Sequence, residues 1–180
     1  MLTNEKAMKF MEVAKSIAEQ FSKDTSTKVG ALVTSLDGSP LSWGYNGMPR
    51  EVNDDVAERM IRPEKYLWME HAERNAIFNA CRSGTSLMGS RIFVTGLVPC
   101  IECARGIIQS GIREIYLEKR AFDNREQAHI WAEGFPTTME MLAEADVKVA
   151  VCGPLQMYMN PIFSMVSLSH PDHLFFLRDT

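Results

Sequence analysis

From Asn4 to Phe21 the chain places apolar side chains at Ala7, Met8, Met11, Ala14, Ile17, Ala18 and Phe21. They recur three or four residues apart, which gathers them on one face of a helix and predicts an amphipathic helix packed on a core. After a polar break from Ser22 to Thr27 the pattern becomes a continuous apolar run, Val29 to Thr34, which predicts a buried strand. Asp37-Gly38 supplies a turn, and Leu41 to Tyr45 a second strand antiparallel to the first. Asn46 to Asp55 is a polar loop punctuated by glycine and proline, longer than an ordinary connection and therefore a place for function. Helical spacing returns from Trp68 to Arg82. Beyond it, strand-like stretches at Arg91 to Thr95, Ile112 to Leu117 and Val147 to Val151 alternate with helical ones at Cys100 to Ser110 and Met139 to Ala145. That alternation predicts an α/β fold. Lys119 to Pro136 is charged and irregular, and the chain beyond Gly153 shows no period.

A length of 180 residues suits one domain with a sizeable core. The chain is 46% hydrophobic, yet no apolar run approaches the roughly 18 residues that a membrane span requires. Its first residues are polar instead of forming a signal core, so a cytoplasmic protein without membrane attachment is expected. A net charge of −4 offers no basic stripe for a phosphate backbone, which disfavours a nucleic acid partner and leaves a small charged substrate open. Two of the four cysteines stand three apart, a usage that favours metal or redox chemistry over disulfides.

The chemistry concentrates in two short stretches. His71-Ala72-Glu73 opens an alanine-rich helical segment, and Pro99-Cys100-Ile101-Glu102-Cys103 opens the next. Cys100 and Cys103, at i and i+3, share a helix face, and a helix N-terminus lowers a thiol toward the thiolate that binds metal. Pro99 suits the residue before such a start. One imidazole and two thiolates make three ligands, the number with which a catalytic zinc site keeps its fourth position open. The order H-x-E, then P-C-x-x-C, is the signature of the zinc nucleobase deaminases, in which the glutamate is a general acid and base outside the metal shell. Each part has a plainer reading. An isolated histidine is usually a surface or core residue, Glu73 can answer the helix dipole, and C-x-x-C can be a redox pair. Finding all the parts in this order outweighs them, and no thioredoxin-like unit precedes the cysteines.

Three further stretches carry a family likeness: Ser26-Thr27-Lys28-Val29-Gly30-Ala31, Gly44-Tyr45-Asn46-Gly47-Met48-Pro49-Arg50 and Ala104-Arg105-Gly106-Ile107-Ile108-Gln109-Ser110-Gly111-Ile112. With the zinc motif, they make the chain resemble the deoxycytidylate deaminases of the cytidine deaminase superfamily from about Phe21 to Cys152. The resemblance implies a three-layer α/β/α sandwich around a five-stranded mixed sheet, a single domain over 1–180 with 153–180 as an extension, and a homo-oligomer, commonly a hexamer. It implies one Zn2+ per subunit on His71, Cys100 and Cys103, with Glu73 shuttling protons while deoxycytidylate (dCMP) loses ammonia to become deoxyuridylate. It also implies that the Ala72 backbone amide contacts the base, Asn46 the sugar and Arg50 the 5′-phosphate, and that dCTP or dTTP acts as effector. The chain departs from the family pattern at Glu51-Val52-Asn53, where relatives often continue into glycine and cysteine or serine.

Rival readings keep different parts of this. The same chemistry serves a deaminase of free cytidine or deoxycytidine, or of dCTP. A tRNA or single-strand editor shares the motif but needs a basic channel and stacking aromatics. A zinc-stapled interaction module would have no turnover at all. Of the remaining candidates, Asn46 can be a turn residue, Arg50 a solvated charge and Lys28 a weaker one. Cys81 and Cys152 read as small buried apolar groups. His170 and His173 flank Pro171, which breaks the helix that would align them as ligands, and His129 carries no signal.

Overall fold

A computed structural model of the chain describes residues 1–96, 98–118 and 134–153, with the backbone of 174–176. Helix α1, Asn4–Phe21, starts where the Thr3 hydroxyl accepts the backbone N–H of Lys6. Ala7, Met11, Ala14 and Ala18 are buried along it, the stripe predicted from the spacing. Then come β1 (Gly30–Thr34), β2 (Pro40–Tyr45), a short 3-10 turn at Ala57–Met60, α2 (Lys65–Trp68) and α3 (Ala72–Ser83). The second half contains β3 (Arg91–Val94), α4 (Ile101–Gln109), β4 (Glu114–Glu118), α5 (Phe135–Glu144), β5 (Lys148–Cys152) and β6 (Leu174–Phe176).

The strands lie in the order β2-β1-β3-β4-β5-β6. β1 runs antiparallel to both β2 and β3, whereas β3, β4, β5 and β6 are mutually parallel neighbours. This is the expected mixed sheet of five strands, with the three-residue β6 added at the edge from a tail that shows no period in sequence. Side chains alternate across the sheet. Leu32, Phe93, Tyr116 and Ala150 meet Ala7, Met11 and Ala14 of α1 on one face. Val33, Ile92, Val94, Ile115 and Leu117 face the other way, where α3 presents Ala72, Ala76 and Ala80, α4 presents Ala104 and Ile107, and α5 presents Met139 and Leu142. Helices thus cover both faces, which is why the central strands read as unbroken apolar runs.

Two glycines set how closely the layers approach. A Cβ on Gly30 would sit 2.0 Å from the carbonyl oxygen of Ala14, and one on Gly44 would sit 2.4 Å from the backbone nitrogen of Ala76. Both positions exclude any side chain, so α1 and α3 lie directly on the hairpin.

Three local expectations change. The helix predicted from Trp68 to Arg82 is broken at Met69–His71, because Glu70 spends its backbone on Gly47, donating at 2.8 Å and accepting at 3.1 Å. α5 begins at Phe135, inside the stretch read as irregular, with Pro136 in its first turn where proline costs no hydrogen bond. Cys81 is exposed, not buried, since it follows Ala80 by one position and points about 100° away from the sheet; Cys152 is buried as expected. The readings of His129, His170 and His173 and most of the insertion and tail lie outside the described residues. No helix among the described residues is long and apolar enough to cross a membrane.

Candidate active site

The break before α3 has a chemical result. It leaves His71 as the extended N-cap of α3, and Cys100 holds the same position on α4. The two helix starts converge, and the His71 Nδ1 atom lies 3.5 Å from Cys100 Sγ and 3.4 Å from Cys103 Sγ. All three potential ligand atoms fall within 4.8 Å of one another. A tetrahedron built on zinc with bonds of about 2.3 Å to sulfur and about 2.0 Å to nitrogen has nitrogen–sulfur edges of about 3.5 Å. The spacing therefore fits the ion, and the donor set is the imidazole and two thiolates that zinc accepts. Partial positive charge at both helix N-termini favours the anionic sulfurs. The hydrogen bond from Cys103 holds the Cys100 thiol down to about 4, against its burial, whereas the same partnership and burial push Cys103 up.

Glu73 follows His71 by two residues and is 4% exposed. The plain dipole reading expects a solvated carboxylate, whereas this one is buried in the first turn of α3. Desolvation pushes its carboxyl up, partly opposed by the charge of His71. A carboxyl so raised can both take and return a proton. Outside this group, Glu70 fastens the start of α3: its Oε1 accepts the backbone N–H of His71 at 3.0 Å and the Arg74 Nε at 2.6 Å.

His71, Ala72, Glu73 and Cys100 line one cavity together with Asn46. The Asn46 side chain is a fully used amide. Its oxygen accepts from the Ser22 hydroxyl and the Val29 N–H, both at 2.8 Å, while its nitrogen donates to the Thr27 carbonyl at 2.8 Å and to Asp24 at 3.3 Å. Asn46 therefore ties the segment before β1 to the loop after β2, a structural duty that its sequence position does not announce. Arg50 stands elsewhere. It is exposed, hydrogen-bonded to Asn79 on the outer face of α3, and does not line this cavity. Lys28 likewise points its ammonium at the Glu19 carbonyl, 3.1 Å away.

The cavity wall instead contains Asp24, Arg62, Lys65 and Tyr66, which sequence reasoning missed. Lys65 is buried and donates to Asp24 Oδ2 at 2.8 Å and to the Ser26 hydroxyl at 2.6 Å. Its partner lies 41 residues away, so no local pattern marks it. A lysine followed by Tyr66, Leu67 and Trp68 on a single helical turn was the available hint.

Comparison with known proteins agrees with this arrangement. The family model for the cytidine and deoxycytidylate deaminase zinc-binding region matches residues 4–119. The chain is 38% identical over 125 residues to the deoxycytidylate deaminase of Homo sapiens, covering 66% of this chain and 67% of the human one. It is 39% identical over 145 residues to a deaminase in the luxG 3′ region of Aliivibrio fischeri, covering 79% of this chain and 90% of that one. Among solved structures, the dCMP deaminase of cyanophage S-TIM5 in complex with dCMP and dUMP superposes with a TM-score of 0.62 at 25% identity, covering 84% of this chain and 99% of that one.

Proposed function

This chain belongs to the cytidine and deoxycytidylate deaminase family, and we propose that it hydrolyses deoxycytidylate to deoxyuridylate and ammonia. The observation that carries the reading is the buried carboxyl of Glu73 beside the convergent group His71, Cys100 and Cys103, in the wall of one cavity. The two relatives and the phage structure, whose names include deamination, support it.

His71, Cys100 and Cys103 would hold the zinc. Bound there, zinc supplies Lewis acidity that lowers the pKa of water from about 15.7 to about 7. Glu73 takes a proton from the attacking water as oxygen bonds to carbon 4 of the cytosine ring, and delivers it to ring nitrogen 3. It then takes the remaining proton from the new hydroxyl on carbon 4 and passes it to the departing amine, so that the carbonyl forms as the carbon–nitrogen bond breaks and ammonia leaves. The Ala72 backbone amide orients the base, and Asn46 meets the sugar. Val29 and Val98 give the cavity an apolar stretch of wall.

The finer parts of the reading are that the protein works in the cytoplasm as one domain, that it assembles as a homo-oligomer, a hexamer by resemblance, and that dCTP or dTTP modulates it. Exposed Phe21 and Trp43, whose rings lie 5.0 Å apart beside the half-buried Tyr45, support self-association by offering apolar surface at edge strand β2. The deciding experiment offers purified, zinc-loaded protein dCMP, deoxycytidine and dCTP, with and without added dCTP or dTTP, and measures ammonia release and particle mass. Fastest release from the monophosphate is expected. A folded, zinc-loaded protein inert toward every one of these substrates would return the chain to the interaction-module reading.

A further inference from the structure

We propose that Arg62, and not Arg50, supplies the cation that recognises the substrate's 5′-phosphate. The inference rests on the reading of the cavity as a nucleotide site and adds to it the residue that sets substrate charge.

Four observations lead there. Arg50, the candidate from sequence, is bonded to Asn79 and does not line the cavity, and Lys28 is turned to the Glu19 carbonyl. Two cations do line the cavity, Lys65 and Arg62. Lys65 is already neutralised by Asp24 at 2.8 Å, both side chains being 5% exposed, so that pair contributes no net charge. Arg62 has no carboxylate of the described residues within ion-pair distance, and its guanidinium lies 5.9 Å from the centre of the Tyr66 ring, which lines the same cavity. Arg62 is exposed, so its side chain holds its charge in water until a ligand arrives.

Away from the metal group, a wall whose buried cation is internally paired leaves Arg62 as the positive charge presented to an anion. A guanidinium presents donors in a planar fork that matches two phosphate oxygens at once. A nucleoside lacking the phosphate receives nothing from it. Arg62 thus accounts for preference between substrates that share the same base and sugar, while the proton chemistry at Glu73 is common to both.

The test compares kcat/KM for dCMP with kcat/KM for deoxycytidine in the wild type, R62Q, R62K and R50Q. In R62Q the ratio of the two is expected to fall roughly 10- to 100-fold, the value of a charge-assisted hydrogen bond, through a rise in KM for dCMP. R62K, which keeps the charge and loses the fork, should fall between R62Q and wild type, and R50Q should keep the wild-type ratio. An R62Q ratio within about twofold of wild type overturns the proposal, as does an equal rise of KM for both substrates, which marks a structural role. A wild type that does not turn over dCMP defeats the activity reading itself, a result distinct from either.

Discussion

Lys65 Nζ and Asp24 Oδ2 lie 2.8 Å apart in a pair whose side chains are each 5% exposed, so neither charge has water to fall back on. Removing one partner strands the other. Lys65→Met is expected to cost about 3–5 kcal/mol, whereas the double change Lys65→Met with Asp24→Asn should cost much less than the sum of the singles. Urea denaturation of the three variants measures the difference.

The pH dependence of stability follows from the same kind of contact. Burial raises the carboxyl of Glu114, but hydrogen bonds from Tyr116 and Arg91, each 2.7 Å long, outweigh it and hold it below the usual range. A carboxyl with a depressed folded value stabilises the protein above its unfolded value, and loses that contribution as pH falls through the folded one. The urea midpoint should therefore decline as pH drops below about 4. Glu114→Gln should flatten that decline.

Glu73→Gln preserves shape and removes proton transfer. The variant should bind zinc one to one and fold like the wild type, with ammonia release slowed on the order of 10² to 10⁴. Metal analysis alongside the assay checks both halves, and an active variant would remove Glu73 from the mechanism.

Cys103→Ala leaves two ligands where zinc needs three from the protein. Bound metal should be lost on dialysis, and the added stability that zinc confers on the wild type should disappear from thermal unfolding curves.

Gly44→Ala drives a methyl group to 2.4 Å from the Ala76 nitrogen and 2.5 Å from the Ala72 carbonyl. A loss of about 1–3 kcal/mol is expected from the forced shift of α3. Because that helix carries Glu73, kcat should fall as well, and parallel denaturation and rate measurements test the link.

Much of this was legible in the chain. The spacing of Ala7, Met11 and Ala14 marks α1, the apolar run at β1 marks a strand covered on both faces, and His71, Cys100 and Cys103 declare the metal group by residue type and order. What local pattern misses depends on distant partners. The bond between Glu70 and Gly47 breaks a helix that periodicity would continue, and Asp24 gives Lys65 a meaning visible only across 41 residues. Arg50 shows the converse, a motif position whose side chain the fold turns toward Asn79 and whose sequence does not announce that contact.

Asn46 has no spare valence for a newcomer: its oxygen and nitrogen are each engaged twice before any guest arrives. A sugar hydroxyl that claims this amide must evict a resident contact, so recognition there proceeds by exchange. Occupancy of the pocket is thereby wired to the tether between Ser22 and Val29, and a guest's arrival should register as altered amide-hydrogen exchange in that distant-looking segment.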